Sequence, residues 1–107
     1  MTLEQVRLRR WSEQEEGPPD EERLLDRLRE RGFHASRHVY PPGTVFEEHT
    51  HDMDKIDAVL SGRFRMTARG EEAVLEPGDW LELPAGTAHT ARVVGDEPVV
   101  SLDATPL

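Results

Sequence analysis

The sequence predicts an all-β fold, a barrel or a sandwich, and this prediction is based on the pattern of residues 33–107. Short runs that alternate apolar and polar side chains follow one another closely. Turn-forming pairs such as Pro77-Gly78 separate the runs, and no helix-length periodic segment interrupts them. The expected strands cover residues 33–40, 44–51, 55–60, 63–68, 72–76, 79–83, 87–94 and 98–103.

A short strand and a loop are expected at the start of the chain. Val6 and Leu8 lie two residues apart within residues 3–11, and their neighbours are polar. This period of two predicts a short strand with a polar outer face. Residues 12–19 are polar and end in proline, so we expect them to form a loop.

One helix is expected between that loop and the barrel, over residues 20–31. Its apolar residues form one narrow stripe among charged neighbours, and a glycine follows as a stop signal: Leu24, Leu25, Leu28 and Gly32. We interpret it as a solvated helix laid on a sheet. Residues 1–32 would then pack on a barrel formed by residues 33–107, within a single domain.

The composition excludes several classes of partner. The net charge is −9, which argues against nucleic acid and against anionic membrane surfaces. Cysteine is absent, so any metal must be held by histidine and carboxylate side chains. We find neither an apolar stretch of roughly 18 residues nor a secretory signal, so we expect a cytoplasmic protein. The 33% of charged residues and the absence of asparagine suit a thermophilic source.

His49 and His51 stand two residues apart on an expected strand. A period of two places both side chains on the same face. Two imidazoles so placed can reach one metal ion, each through one ring nitrogen. Such a pair also arises by chance on protein surfaces, so it indicates a metal site only together with further residues.

Two motifs at fixed spacing surround this pair. The first contains Gly43, His49, His51, Lys55 and Gly62, and the second contains Gly78, Pro84, Gly86 and His89. Over residues 43–93 they resemble the two motifs of the cupin family. Lys55 stands where the family has glutamate, and Val93 stands where it often has asparagine.

The resemblance implies a double-stranded β-helix, the cupin jelly-roll barrel, with a site inside its mouth. It also implies that His49, His51 and His89 are the metal ligands. Inward parity gives a mixed cavity, lined by Val45, Glu47, His49, His51, Lys55, Asp57, Val59, Thr87, His89, Ala91 and Val93. Glu47 is a candidate fourth ligand, whereas we favour an interpretation of the valines and Ala91 as barrel fillers.

Lys55 is the only lysine of the chain, beside twelve arginines. A charged ammonium close to a divalent ion is strongly repelled. Three arrangements therefore remain open: Lys55 pairs with a carboxylate, with Asp57 the nearest candidate, or it is neutral, or it replaces the metal altogether. We favour the first and treat Lys55 as the candidate catalytic residue, able to hold a substrate anion or move a proton.

The sequence thus predicts a metal-binding small cupin, a metal-dependent oxygenase or isomerase that acts on a small molecule. The cofactor would be a divalent transition metal, Zn, Fe, Mn, Ni or Cu. The alternative is a non-catalytic small-molecule binding or sensor barrel, with or without metal. Small cupins commonly dimerise, so a homodimer is expected. His34 and His38 share one face of their strand, and we interpret them as surface or packing residues.

Overall fold

The computed structural model describes residues 3–107, which form nine strands and two short helices. Their bounds are β1 (Arg7–Arg9), α1 (Glu13–Glu16), α2 (Glu21–Glu30), β2 (Phe33–Tyr40), β3 (Val45–His49), β4 (Lys55–Ser61), β5 (Arg63–Ala68), β6 (Glu71–Leu75), β7 (Trp80–Leu83), β8 (His89–Val94) and β9 (Val99–Pro106). Every strand expected from residue 33 onward is present, and the all-β jelly roll is confirmed.

The strands form two antiparallel sheets. Sheet A has the order β1-β7-β4-β9-β2, and sheet B has the order β3-β8-β5-β6. One core cluster joins side chains of both sheets, among them Val59, Phe64, Leu75, Leu83 and Val99. The apolar interior of the jelly roll therefore lies between the sheets, where each strand contributes alternate residues.

A second core cluster covers the outer face of sheet A. Leu24 and Leu28 of α2 are fully buried there against a group of sheet residues that includes Phe33, Ile56 and Trp80. Because both faces of β4 are covered, its strand residues from Ile56 to Val59 are all buried. The leucine stripe of α2 thus packs on the sheet, as its spacing predicts.

The N-terminal segment is more ordered than expected. Residues 13–16 form the short helix α1 instead of a loop, with the amide of Glu16 donating to the carbonyl of Ser12 at 2.8 Å. Three acidic residues in its first turn favour this helix through the helix dipole. The indole Nε1 of Trp11 donates to the carbonyl of Gly17 at 2.8 Å and closes the turn.

Two glycines allow close approaches that no other residue could make. Gly62 has a φ of 83°, and a Cβ there would lie 2.3 Å from the carbonyl oxygen of Pro98. Gly78 has a φ of 95°, and its Cβ would lie 2.4 Å from the side chain of Trp11. Both positions belong to the turn glycines of the two sequence motifs, which explains why glycine is required there.

No helix among residues 3–107 is long and apolar enough to cross a membrane.

Candidate functional site

Three histidines lie together at one end of the interior. His49 on β3 and His89 on β8 are direct cross-strand partners, with ring centroids 4.3 Å apart. His51 lies just beyond β3, and its ring centroid is 4.9 Å from that of His49 and 5.1 Å from that of His89. One ring nitrogen of each lies within 4.8 Å of the other two. The structure thus brings together the three residues that the sequence predicts as ligands.

A bulge in β3 changes which residues of that strand face inward. Phe46 pairs with Ala91 and His49 pairs with His89, so β3 carries one residue more than β8 over this interval. As a result Phe46 lines the interior, whereas Val45 and Glu47 are exposed. The prediction that Val45 and Glu47 point inward is wrong, since it assumed an unbroken period of two.

Backbone carbonyls fix the protonation of two of the rings. Nδ1 of His49 lies 2.7 Å from the carbonyl oxygen of Glu47, and Nδ1 of His89 lies 2.9 Å from that of Thr87. A carbonyl can only accept, so each Nδ1 carries the proton and Nε2 keeps its lone pair. Nε2 of His51 is buried and has no hydrogen-bond partner within residues 3–107. Such backbone contacts are the usual way in which a ligand histidine is oriented.

The surroundings favour uncharged rings. Burial lowers the pKa of His51, and the positive charge of Lys55 lowers it further. Burial also lowers the pKa of His89, although its contact with the Thr87 carbonyl acts in the opposite direction. Both imidazoles are therefore neutral at neutral pH, which is the form that can donate a lone pair to a metal.

The three histidines form one wall of a cavity of about 160 Å³. We call His49, His51 and His89 the histidine wall. The other lining residues are Tyr40, Phe46, Lys55, Asp57, Phe64, Met66, Ala91 and Asp103. Of the valines expected to line this space, Val59 and Val93 belong to the apolar core instead, as barrel fillers.

Lys55 points at a carboxylate. Its Nζ lies 2.6 Å from Oδ1 of Asp57, a charge-assisted hydrogen bond, and 3.7 Å from Oδ2 of Asp103. Burial alone would lower the pKa of Lys55, but Asp57 and Asp103 together raise it. The ammonium is therefore charged at neutral pH, and its pairing with Asp57 is the arrangement that the sequence argument favours.

Sheet A places a second carboxylate, that of Asp103, beside Asp57. Asp57 on β4 and Asp103 on β9 are direct cross-strand partners, so both side chains point into the interior. Burial raises the pKa of Asp57, and Lys55 opposes that effect. Asp103 accepts hydrogen bonds from the hydroxyl of Tyr40 at 2.8 Å and from Oγ of Ser101 at 2.7 Å. We call Tyr40, Lys55, Asp57 and Asp103 the charged wall.

A family model described as the cupin domain matches residues 36–105. The chain belongs to the cupin family. The matched span contains the histidine wall and the charged wall, so both lie within the part of the chain that is common to cupins.

Several proteins resemble this cupin. A relative from Branchiostoma floridae, the bifunctional lysine-specific demethylase and histidyl-hydroxylase NO66, is 38% identical over 66 residues, 58% of this chain. The chain spans only 11% of the length of that relative. The structure of KdgF from Halomonas sp. aligns with a TM-score of 0.62 at 28% identity, over 71% of this chain and 70% of that one.

A further structure, the DMSP lyase DddQ from Ruegeria pomeroyi DSS-3, aligns with a TM-score of 0.63 at 26% identity. The alignment covers 71% of this cupin and 39% of the lyase. The same barrel therefore occurs in proteins of different size and name, and the chemistry of each depends on its own site residues.

Two residues of the charged wall, Tyr40 and Asp103, were not identified from the sequence of this cupin. The signal in β9 was a polar pair, Ser101 and Asp103, that alternates with Leu102 and Ala104. Leu102 and Ala104 pack in the cluster under α2, so the alternating polar pair faces the interior, where it needs partners. The partner Tyr40 is 63 residues away in sequence.

His34 and His38 lie outside the cavity lining. Nε2 of His38 is 3.0 Å from Oγ of Ser36 and 3.8 Å from Oδ2 of Asp103, and its side chain is 48% exposed. His34 is exposed and lies 3.4 Å from Oγ1 of Thr105. Surface positions fit the interpretation of both as surface or packing residues.

Proposed function

We propose that this cupin holds one divalent transition metal ion through His49, His51 and His89 and binds a small molecule in the adjoining cavity. The observation that carries the proposal is the set of three converging imidazoles with available nitrogens. In two of them Nδ1 is tied to a carbonyl, and in the third Nε2 is buried without a partner among the described residues. A buried polar atom without a partner is costly, and a metal ion would satisfy it.

The donor set fits such an ion. Three neutral imidazoles are a common catalytic-type set, because they leave coordination positions for water or substrate. Nitrogen ligands suit Zn, Fe, Mn, Ni and Cu to differing degrees and do not select among them. When bound, the ion would polarise an oxygen of the small molecule or, if it is iron, support dioxygen chemistry.

We further propose that the protein is a metal-dependent oxygenase or isomerase. Lys55 would be its catalytic residue, holding a developing negative charge or moving a proton at Nζ. The names of the hydroxylase and the lyase that this chain resembles support chemistry in such a barrel, although they describe those proteins. The apolar lining by Phe46, Phe64 and Met66 would exclude water from the reacting atoms.

A second candidate is a non-catalytic binding or sensor barrel, with or without metal. The observation that favours it is the engagement of Lys55, whose ammonium is held by Asp57 and lies close to Asp103. An ammonium held in this way has a structural role, and it is less free to transfer a proton to a ligand. The cavity would then bind its ligand without turnover.

Metal titration of the metal-stripped protein tests the proposed site. We expect about one equivalent of Zn²⁺ or Co²⁺ to bind, and His89→Gln to weaken binding by more than about a hundredfold. His34→Gln is the matched control, since it removes an exposed histidine outside the cavity. Equal affinity in the two variants would contradict the assignment.

A measurement of turnover distinguishes the proposed enzyme from the non-catalytic binding barrel. Oxygen uptake by iron-loaded protein is measured with small thiols, diketones and phenols, and any uptake must be lost in His89→Gln. Ligand-induced increases in melting temperature without oxygen uptake or product formation would favour the binding barrel.

We also propose a homodimer, as the family resemblance implies. Sedimentation equilibrium of the untagged protein would give twice the 12.2 kDa of one chain. A single species at the mass of one chain at micromolar concentration would contradict it.

A further inference from the structure

We propose that the charged wall binds a neutral hydroxyl group, so that the ligand is a small alcohol with a metal-binding oxygen at its other end. This inference rests on the proposed metal site and deepens it by naming the ligand class. Three observations carry it: the hydrogen bonds left open on the charged wall, the balance of its charges, and the size of the cavity.

Asp103 can still accept hydrogen bonds. Its Oδ1 accepts from Ser101 and its Oδ2 accepts from Tyr40, which uses one lone-pair direction on each oxygen. A carboxylate has about four such directions, and Oδ2 also lies 3.7 Å from Nζ of Lys55 and 3.8 Å from Nε2 of His38, so the open direction belongs to Oδ1. Asp103 lines the cavity and its side chain is 17% exposed, so this open direction is accessible to a ligand donor.

Tyr40 and Lys55 complete a mixed surface. The only hydrogen that the hydroxyl of Tyr40 can donate is used on Asp103, so toward the cavity its oxygen can only accept. Lys55 has three N–H donors, of which one is used on Asp57 at 2.6 Å. Its other donors can reach a ligand, since Lys55 also lines the cavity. The wall thus presents acceptors and a donor side by side.

A hydroxyl matches this surface better than a charged group does. A hydroxyl donates one hydrogen bond and accepts others, so it can face Asp103 and Lys55 at the same time. A carboxylate would meet two resident carboxylates, Asp57 and Asp103, whose charge a single ammonium balances only in part. An ammonium could donate to Asp103, but it would lie beside the like charge of Lys55 and could accept nothing from it. Of these groups, the hydroxyl alone can use the acceptors and the donor of the wall together.

The cavity limits the size of the ligand segment that it encloses. Its volume of about 160 Å³ equals the share of roughly five water molecules in the liquid. Phe46, Phe64 and Met66 line the remainder and offer only apolar contact. A ligand with a short hydrocarbon segment between a metal-binding oxygen and a hydroxyl fits these surfaces.

A series of four probes tests the proposal on the zinc-loaded protein by calorimetry. 3-Hydroxypropionate, butyrate, 3-aminopropionate and succinate share one carboxylate for the metal and end in a hydroxyl, a methyl, an ammonium and a second carboxylate. We expect the hydroxyl probe to bind about fivefold or more tightly than each of the others. Equal or tighter binding of any other probe overturns the proposal.

Variants of the charged wall test whether it is the source of the preference for the hydroxyl probe. Asp103→Asn and Tyr40→Phe should each reduce it to about twofold or less while the zinc content stays at about one equivalent. His34→Gln, the exposed control, should keep it. If the preference persists in both folded variants, the hydroxyl binds the metal and not the charged wall, and the proposal fails. A wild-type protein that takes up no zinc overturns the proposed metal site instead, so the two failures are distinguishable.

Discussion

The two polar walls of the cavity use their polar atoms in opposite ways. The histidine wall belongs to sheet B and the segment after β3, and its nitrogens converge on a point where the chain places no partner of its own within residues 3–107. The charged wall belongs to sheet A, and its carboxylates and ammonium are within hydrogen-bonding or ion-pair distance of one another. One wall thus lacks partners within the described residues, while in the other every polar side chain already has a partner and only spare hydrogen-bonding directions stay open.

This difference determines what each wall contributes to the protein. Groups that satisfy one another contribute to stability, and removing one of them leaves a buried charge. Groups that lack partners contribute to binding, and they cost stability until a ligand arrives. We therefore expect substitutions in the charged wall to act mainly on folding and substitutions in the histidine wall to act mainly on metal affinity.

The largest expected effect is that of Lys55→Met on folding. It leaves Asp57 and Asp103 opposite each other without a cation, because the two are direct cross-strand partners. We expect the free energy of unfolding to fall by about 3 kcal/mol, the lower end of the range for breaking a buried ion pair. Urea denaturation at neutral pH measures it.

The matched control for this variant is Arg23→Met, which breaks an exposed ion pair with Asp20. It should cost less than about 1 kcal/mol. Adding Asp57→Asn to Lys55→Met should recover part of the loss, because the uncompensated buried charge is then removed. Equal effects of the two single variants would mean that the charged wall does not stabilise the fold.

The same Lys55→Met variant should raise the metal affinity, although it lowers the stability of the fold. The ammonium of Lys55 lowers the pKa of both His51 and His89, so it also disfavours a cation bound between them. Its removal should tighten Zn²⁺ binding by about tenfold. A competition titration with a zinc chelator measures this, with Arg29→Met on the exposed side of α2 as the control. Weaker binding in Lys55→Met would show that Lys55 supports the metal site.

Acid should destabilise the metal-free protein through the histidine wall. Burial holds the pKa values of His51 and His89 below the ordinary 6.5, so between those values and 6.5 the unfolded chain binds more protons. Their contribution is complete above pH 6.5 and is lost as the pH falls through the lowered values. Urea midpoints between about pH 7.5 and 5.5, compared with those of the double variant His51→Gln/His89→Gln, isolate this contribution. An equal decline in both proteins would contradict it.

The smallest expected effect concerns the bulge in β3. Val45 and Glu47 are exposed, so Val45→Thr and Glu47→Gln should change neither zinc affinity nor stability by more than about 0.5 kcal/mol. Phe46→Ala is the matched contrast and should exceed this limit, because Phe46 lines the cavity. A loss of zinc affinity in Glu47→Gln would mean that Glu47 ligates the metal, as an unbulged strand would allow.

The histidine wall was predictable from the sequence because its residues lie in motifs with fixed spacing. His49 and His51 are two residues apart, and the glycines and the proline around His89 mark the turns that bring it across the sheet. The inner face of β3 was not predictable in the same way. A single extra residue between Phe46 and His49 turns Val45 and Glu47 away from the interior, and the local sequence carries no signal for this bulge.

The charged wall was predictable only in part. The pairing of Lys55 with Asp57 follows from a spacing of two residues on one strand. The contribution of Asp103 and Tyr40 depends on the order β4-β9-β2 in sheet A, which joins residues distant in sequence. Their pattern indicated buried polar residues, but the identity of the partners required the topology.

The proposed metal site is tested most sharply by elemental analysis of the untagged protein, purified without chelators after growth with transition metals supplied. We expect about one equivalent of a divalent transition metal per chain, and its loss in His89→Gln but not in His34→Gln. Less than about a tenth of an equivalent in the folded wild-type protein would contradict it, since the three imidazoles would then converge without binding a metal.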